Sequence, residues 1–119
     1  MITVSVVYPQ YAGARFDFDY YLQRHIPLVR QLVGSALRAV TVEKGLSGAE
    51  SGSEPGYIAA ARLTFDSVES FQKAFGPHAA RIMGDVANYT DIQPEIQYNE
   101  TLLQEAHQPV VSGWYADAQ

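Results

Sequence analysis

The sequence predicts a single α+β domain of the ferredoxin-like class, in which the order β-α-β-β-α-β gives a four-stranded antiparallel sheet with two helices on one face. Three observations support this prediction. The chain has 119 residues, close to the commonest domain size. Its hydrophobic content of 47% is enough to form a core. Four segments have the composition or alternation of strands, and two carry apolar residues at helical spacing.

Charge and composition exclude several classes of partner and site. The formal net charge is −5, and the eight Lys and Arg residues are scattered along the chain, so we expect no nucleic-acid or membrane partner. Without cysteine there are no disulfides, thiol nucleophiles or cysteine-ligated metals. The apolar stretches are far too short to cross a bilayer, and the N-terminus lacks a signal-peptide pattern. We therefore expect a soluble cytoplasmic protein.

The first half of the chain is predicted to form a strand, a helix and a second strand. Residues 2–8 are mostly β-branched or aromatic and precede Pro9, which is typical of a strand. A helix is predicted from Asp17, a suitable N-cap, to Gly34, a suitable stop. Residues 36–44 alternate as the second strand. The apolar face of the helix comprises Phe18, Tyr21, Leu22, His25, Leu28, Val29 and Leu32.

The second half repeats this strand-helix-strand order after a loop rich in glycine and serine, residues 45–56. Residues 57–65 alternate as the third strand. Asp66 and Glu69 resemble a capping box for a second helix, which Gly76 and Pro77 interrupt. Residues 92–99 alternate as the fourth strand, where Pro94 indicates an edge or a bulge.

The first and third strands carry apolar or small residues on both faces, although two helices cover only one face of a sheet. On one face lie Val4, Val6, Tyr8, Ala59, Ala61 and Leu63, and on the other Val7, Ile58 and Ala60. A strand that is apolar on both sides is normally buried on both sides. The simplest cover is a second copy of the chain, so the sequence predicts a homodimer.

His25 is the first candidate catalytic residue because it lies on the apolar face of the first helix. A buried imidazole has a pKa near neutrality and can serve as a general base. The alternative is a core histidine that hydrogen-bonds to a backbone carbonyl and does no chemistry. Pro27 removes a helical N–H, so we expect a free carbonyl near Gln23 and a bent helix beside His25.

Other side chains are candidates for a binding pocket. His78 follows Pro77 in the helix break and is expected to be neutral there; it is either a second catalytic group or a polar surface residue. Aromatic residues suited to a flat ligand are Tyr8, Phe18, Tyr21 and Phe75, for which core or interface packing is the alternative. Arg62 is expected to pair with Glu43 or Glu95. The histidine spacing does not indicate a metal site.

Several short motifs together resemble the EthD family: Tyr8-Pro9, the run of residues 13–17, H-I-P-L-V at residues 25–29, A-F-G-P-H-A at residues 74–79, and Asn88-Tyr89-Thr90. The resemblance covers residues 1–103. It implies a dimeric α+β barrel, in which two ferredoxin-like sheets face each other and each subunit has a pocket between sheet and helices. Residues 104–119 would be a C-terminal extension, and Trp114 and Tyr115 suggest that it packs on the partner subunit.

The resemblance implies a range of activities, since similar proteins include cofactor-independent oxygenases, lactone isomerases, decarboxylases and cyclases. The leading hypothesis is an enzyme without a cofactor that uses His25 as general base on a small aromatic or enolic compound, oriented by Tyr8, Tyr21 and His78. The alternative is a non-catalytic binding or accessory protein that assists a partner oxygenase in ether or xenobiotic degradation. Haem binding, known in related barrels, is a third possibility.

Overall fold

The computed structural model describes residues 1–106 of the chain. Its strands are β1 (Ile2–Pro9), β2 (Ala39–Lys44), β3 (Tyr57–Phe65) and β4 (Glu95–Glu100). Its helices are α1 (Phe18–Tyr20), a π-helical turn (Tyr21–His25), α2 (Ile26–Val33), α3 (Val68–Phe75) and α4 (Ala79–Gly84). Short 3₁₀ turns lie at Gly34–Ala36, Gly76–His78 and Val86–Asn88. The predicted interruption at Gly76 and Pro77 is therefore confirmed.

The four strands form one antiparallel sheet in the order β2-β3-β1-β4. The register places Val4 of β1 between Leu63 of β3 and Tyr98 of β4. Together with the two helical layers, this topology confirms the predicted ferredoxin-like fold. β4 is an edge strand, and Pro94 lies directly before it rather than within it. β2 begins at Ala39, later than predicted, because a 3₁₀ turn occupies Gly34–Ala36.

The first helical layer, residues 18–33, is interrupted where Pro27 was expected to disturb it. Asp17 caps its start, since its carboxylate accepts from the Tyr20 N–H, as predicted. The Ile26 N–H donates to the Tyr21 carbonyl, five residues back, which defines the π turn. The wider turn shifts the buried face by one position. Ile26 is therefore buried, whereas Leu22 is 51% exposed, and the prediction that Leu22 faces the core is wrong.

The second helical layer, residues 68–84, has its N-cap one residue later than the sequence predicts. The Ser67 hydroxyl accepts from the Ser70 N–H at 3.0 Å and is the N-cap of α3. Asp66 instead forms a two-point salt bridge with Arg38, with N–O distances of 2.9 and 3.1 Å. The capping role predicted for Asp66 is therefore wrong, because its carboxylate is directed toward β2.

The core lies between the sheet and the helices in two adjoining clusters. The first centres on Val4, Val33, Leu63, Phe65, Phe71 and Ile82. The second centres on Tyr8, Tyr21, Ile26, Ala61, Tyr89 and Ile92. The second cluster holds three tyrosines, so it buries hydroxyl groups that need partners. Among the described residues, no buried side-chain nitrogen or oxygen lacks a hydrogen bond.

The face of the sheet opposite the helices combines an apolar patch with polar side chains. The apolar patch comprises Val7, Ile58 and Ala60, as the sequence predicts. Beside it the Ser5 hydroxyl accepts from Arg62 at 3.2 Å and from Asn99 at 2.8 Å. Arg62 also pairs with Glu43 at 3.6 Å, as predicted. Within residues 1–106, no helix has the length and apolar character needed to cross a bilayer.

Candidate active site

A small apolar cavity of about 60 Å³ lies between the sheet and the helices. This is several times the space that one water molecule needs. Most of its wall is formed by Val4, Val29, Val33, Phe65, Phe71 and Ile82. Met83 and Ile96 also line it and are 40% and 47% exposed, so the cavity reaches solvent between α4 and β4. Its wall contains no carboxylate, lysine or arginine among the described residues, which favours an uncharged ligand.

The polar groups of the cavity wall lie at one end, around His25. This residue ends the π turn and is 5% exposed. Its Nδ1 atom lies 3.0 Å from Oδ2 of Asp85, which follows α4. The Tyr21 ring stacks on the imidazole with centroids 5.4 Å apart. The histidine is therefore fixed on one edge by a carboxylate and on one face by an aromatic ring.

Asp85 is held by two further donors besides His25. The Tyr20 hydroxyl donates to Oδ1 at 2.7 Å, and the Asn88 side-chain amide donates to the same oxygen at 2.9 Å. Burial alone would raise the pKa of Asp85, but the hydrogen bonds from Asn88, Tyr20 and His25 outweigh it and hold that pKa below its usual value. Asp85 is therefore an ionised carboxylate at neutral pH, and it accepts the proton of Nδ1.

His25 is neutral at neutral pH. Burial lowers its pKa more than the hydrogen bond and charge of Asp85 raise it, so its pKa lies below the ordinary histidine value. Because Nδ1 carries the proton that Asp85 accepts, the other nitrogen, Nε2, is unprotonated and carries the lone pair. The pair thus provides an imidazole in the tautomer required of a base.

Two tyrosine hydroxyls continue the hydrogen-bond chain from Nε2 along the cavity. Tyr89 Oη lies 3.4 Å from Nε2, and Tyr8 Oη lies 2.7 Å from Tyr89 Oη. Both residues are at most 1% exposed, and burial raises the pKa of each phenol. The two hydroxyls therefore stay protonated and act as hydrogen-bond donors and acceptors.

The structure brings together four of the six predicted site residues. Tyr8, Tyr21, His25 and Phe75 line the cavity. Phe18 lies outside it, where its ring packs on Phe16 and under the Lys44 ammonium group, 5.1 Å from the ring centroid.

His78 is also separate from this cavity. It is half-buried in the 3₁₀ turn Gly76–His78 and does not contribute to the wall. The structure thus gives His78 no position beside His25.

Sequence reasoning missed Asp85, Tyr89 and Tyr20. The alternative considered for His25 was a backbone carbonyl as its partner, whereas the partner is the Asp85 carboxylate. Asp85 and Tyr89 are 60 and 64 positions from His25 in the chain, so no local spacing links them. The available signal was that a buried histidine needs a polar partner and that Asp85 follows the last apolar turn of the second helical layer.

The described residues contain no group of three or more His, Asp or Glu side chains that could hold a metal ion. The His25–Asp85 pair supplies only two such groups.

Comparison with known proteins relates the chain to the EthD family. The pattern of the EthD domain family matches residues 14–93. The chain is 47% identical to an EthD-like protein from Ralstonia eutropha JMP134, with a TM-score of 0.85 over 88% of this chain and 95% of that one. It is 21% identical to an ethyl tert-butyl ether d (EthD) family protein from Bacillus halodurans C-125, with a TM-score of 0.66 over 86% of this chain and 99% of that one.

A more distant likeness shows the fold alone. A DABB family protein with a ferredoxin-like fold from Mesorhizobium loti MAFF303099 is 10% identical, with a TM-score of 0.53 over 85% of this chain and 96% of that one. None of the proteins with curated functions matches the chain.

Proposed function

The chain belongs to the EthD family, and from that premise we propose that it is a cofactor-independent enzyme that deprotonates small aromatic or enolic compounds, with His25 as general base. The observation that carries the proposal is the Nδ1–Oδ2 contact of 3.0 Å between His25 and Asp85 at the polar end of an apolar cavity. A histidine oriented by a carboxylate is a recurrent arrangement for proton transfer.

The chemistry follows from the charges at this end of the cavity. The Tyr89 hydroxyl passes its proton to His25 Nε2 and is reprotonated from the substrate through Tyr8, and the imidazolium that forms is stabilised by the Asp85 carboxylate. Tyr8 contacts the substrate oxygen at the polar end, while the apolar wall excludes water from the anion. An electron-rich anion of this kind can rearrange, lose carbon dioxide, cyclise or react with oxygen, which are the reaction types that the family resemblance implies.

A binding protein without catalysis is the second candidate, in which the chain holds a hydrophobic compound and assists a partner oxygenase in ether or xenobiotic degradation. The observation that favours it is the Tyr89 hydroxyl, which already lies within reach of Nε2. A base whose lone pair is occupied resembles a histidine that is simply satisfied in the core.

The two candidates predict different outcomes when phenolic, enolic and ether compounds are titrated while binding, oxygen uptake and product formation are followed. Turnover of a phenol or enol by the wild-type protein supports the enzyme. Saturable binding with no product from any compound supports the binding protein and contradicts the general-base proposal.

We also propose that the functional unit is a homodimer. The support is the patch of Val7, Ile58 and Ala60 on the sheet face that carries no helix. Covering apolar sheet surface is the usual reason for such pairing. The proposed packing of residues 104–119 on the partner subunit lies largely outside the described residues.

A further inference from the structure

The hydroxyl hydrogens at the polar end of the cavity have only one arrangement that satisfies every buried group. Asp85 accepts the Nδ1 proton of His25, so Nε2 must accept a hydrogen bond. Among the described residues, the group within reach of Nε2 is the Tyr89 hydroxyl, at 3.4 Å. Tyr89 has a single hydroxyl hydrogen, and it is directed to Nε2 in this arrangement.

The direction of the next hydrogen bond follows from this assignment. The Tyr8 and Tyr89 oxygens are 2.7 Å apart, which requires that one of them donates to the other. Because the hydrogen of Tyr89 is used toward Nε2, Tyr8 must be the donor. Tyr8 then has no hydrogen left for a ligand; its side chain lines the cavity, and its oxygen keeps the lone pairs of a hydroxyl. A donor from the neighbouring Tyr21 fills one lone pair at most, so another remains.

We propose that Tyr8 is the residue that contacts the ligand's polar atom, as a hydrogen-bond acceptor, so that the cavity selects an uncharged compact molecule with an O–H group over an ether with the same ring. An ether oxygen has no hydrogen and cannot satisfy the Tyr8 lone pair. To bind an ether oxygen, Tyr8 would have to turn its hydrogen into the cavity, and Tyr89 would have to turn its own toward Tyr8. That reversal leaves the buried Nε2 unsatisfied, which is costly.

This inference deepens the proposed function and rests on it in placing the substrate in this cavity. It identifies Tyr8 as a specificity-determining residue and phenols or enols as the ligand class. The same orientation links the ligand oxygen to His25 through Tyr8 and Tyr89. The proton-transfer proposal does not depend on this selectivity, so the two claims can fail separately.

The test compares the binding of phenol, anisole and toluene, which share a ring and differ in the substituent. Dissociation constants are measured by calorimetry for the wild-type protein and for Tyr8→Phe, with Tyr57→Phe as matched control because Tyr57 is half exposed on β3 and outside the cavity. We expect phenol to bind about ten-fold more tightly than anisole, the effect of one buried hydrogen bond. Tyr8→Phe should reduce that ratio to about one, and Tyr57→Phe should leave it unchanged.

Three outcomes would overturn the inference: anisole binding as tightly as phenol, an unchanged ratio in Tyr8→Phe, or no binding of phenol. The comparison of phenol with anisole on the wild-type protein needs no variant, so it holds even if Tyr8→Phe does not fold. A phenol preference without turnover of any compound supports this inference and contradicts the proposed enzyme. Turnover that depends on His25 without a preference for phenol supports the proposed enzyme and contradicts this inference.

Discussion

His25 Nδ1 lies 3.0 Å from Asp85 Oδ2, although the two residues are 60 positions apart in the chain. The contact joins the π turn of the first helical layer to the end of α4 in the second. It fixes the tautomer of a buried histidine whose other nitrogen, Nε2, lies 3.4 Å from the Tyr89 hydroxyl.

Asp85→Asn tests whether the carboxylate orients and tunes His25. The variant keeps the size of the side chain and removes the charge that raises the pKa of His25. We expect the pKa of His25 to fall further, so the acidic limb of the rate profile moves to lower pH, while kcat falls by about ten-fold or more. Titration of the His25 ring protons by NMR measures this directly. An unchanged His25 titration would show that Asp85 does not act on the imidazole.

The pH dependence of stability follows from the lowered pKa of His25. Burial makes the folded protein bind this proton less readily than the unfolded chain, whose histidine has the ordinary pKa. The stabilising effect of a neutral His25 is therefore present above the unfolded pKa and is lost as the pH falls toward the folded value. We expect the free energy of unfolding in urea to decrease between about pH 7.5 and about pH 5.5.

The matched variant for this prediction is His25→Gln, which does not titrate. Its stability should change less over the same interval than that of the wild-type protein. Equal pH dependence of the two proteins would assign the effect to other groups.

The π turn predicts opposite outcomes at two neighbouring apolar positions. Ile26 is 6% exposed and Leu22 is 51% exposed. Ile26→Ala should lower the free energy of unfolding by about 2–5 kcal/mol, as in other buried positions. Leu22→Ala should change it by about 0.5 kcal/mol or less. Similar losses at both positions would indicate a regular α-helix in place of the π turn.

Homodimer formation predicts a sedimentation coefficient that reports two chains and decreases on dilution below the dissociation constant. Val7→Glu places a charge in the apolar patch of the open sheet face, opposite Glu95. We expect this variant to sediment as a monomer, whereas Thr64→Glu, on the same face but opposite Thr3 and Ala39 and away from the apolar patch, should retain more dimer. A wild-type protein that sediments as a monomer at every concentration would contradict the proposal.

The sequence predicts the strand order along the chain and the helix break, because alternation, Gly76 and Pro77 are local signals. The residues Tyr8, Tyr21 and His25 could also be selected, because each lies at an apolar position that needs a hydroxyl or imidazole partner. The π turn could not be located, since a one-residue shift of a helical face leaves the spacing of apolar residues almost unchanged. Asp85 and Tyr89 could not be paired with His25, because only the packing of the two helical layers brings them together.

In the proposed reaction, His25 is the base that removes a proton from a substrate held in the cavity. The most direct measurement is the turnover of phenolic and enolic compounds by the wild-type protein, His25→Ala and the control Tyr57→Phe, with folding of each checked by thermal unfolding. We predict that His25→Ala lowers kcat by about 10²–10⁴-fold and that Tyr57→Phe leaves it unchanged. Turnover by a folded His25→Ala at the wild-type rate would contradict the claim.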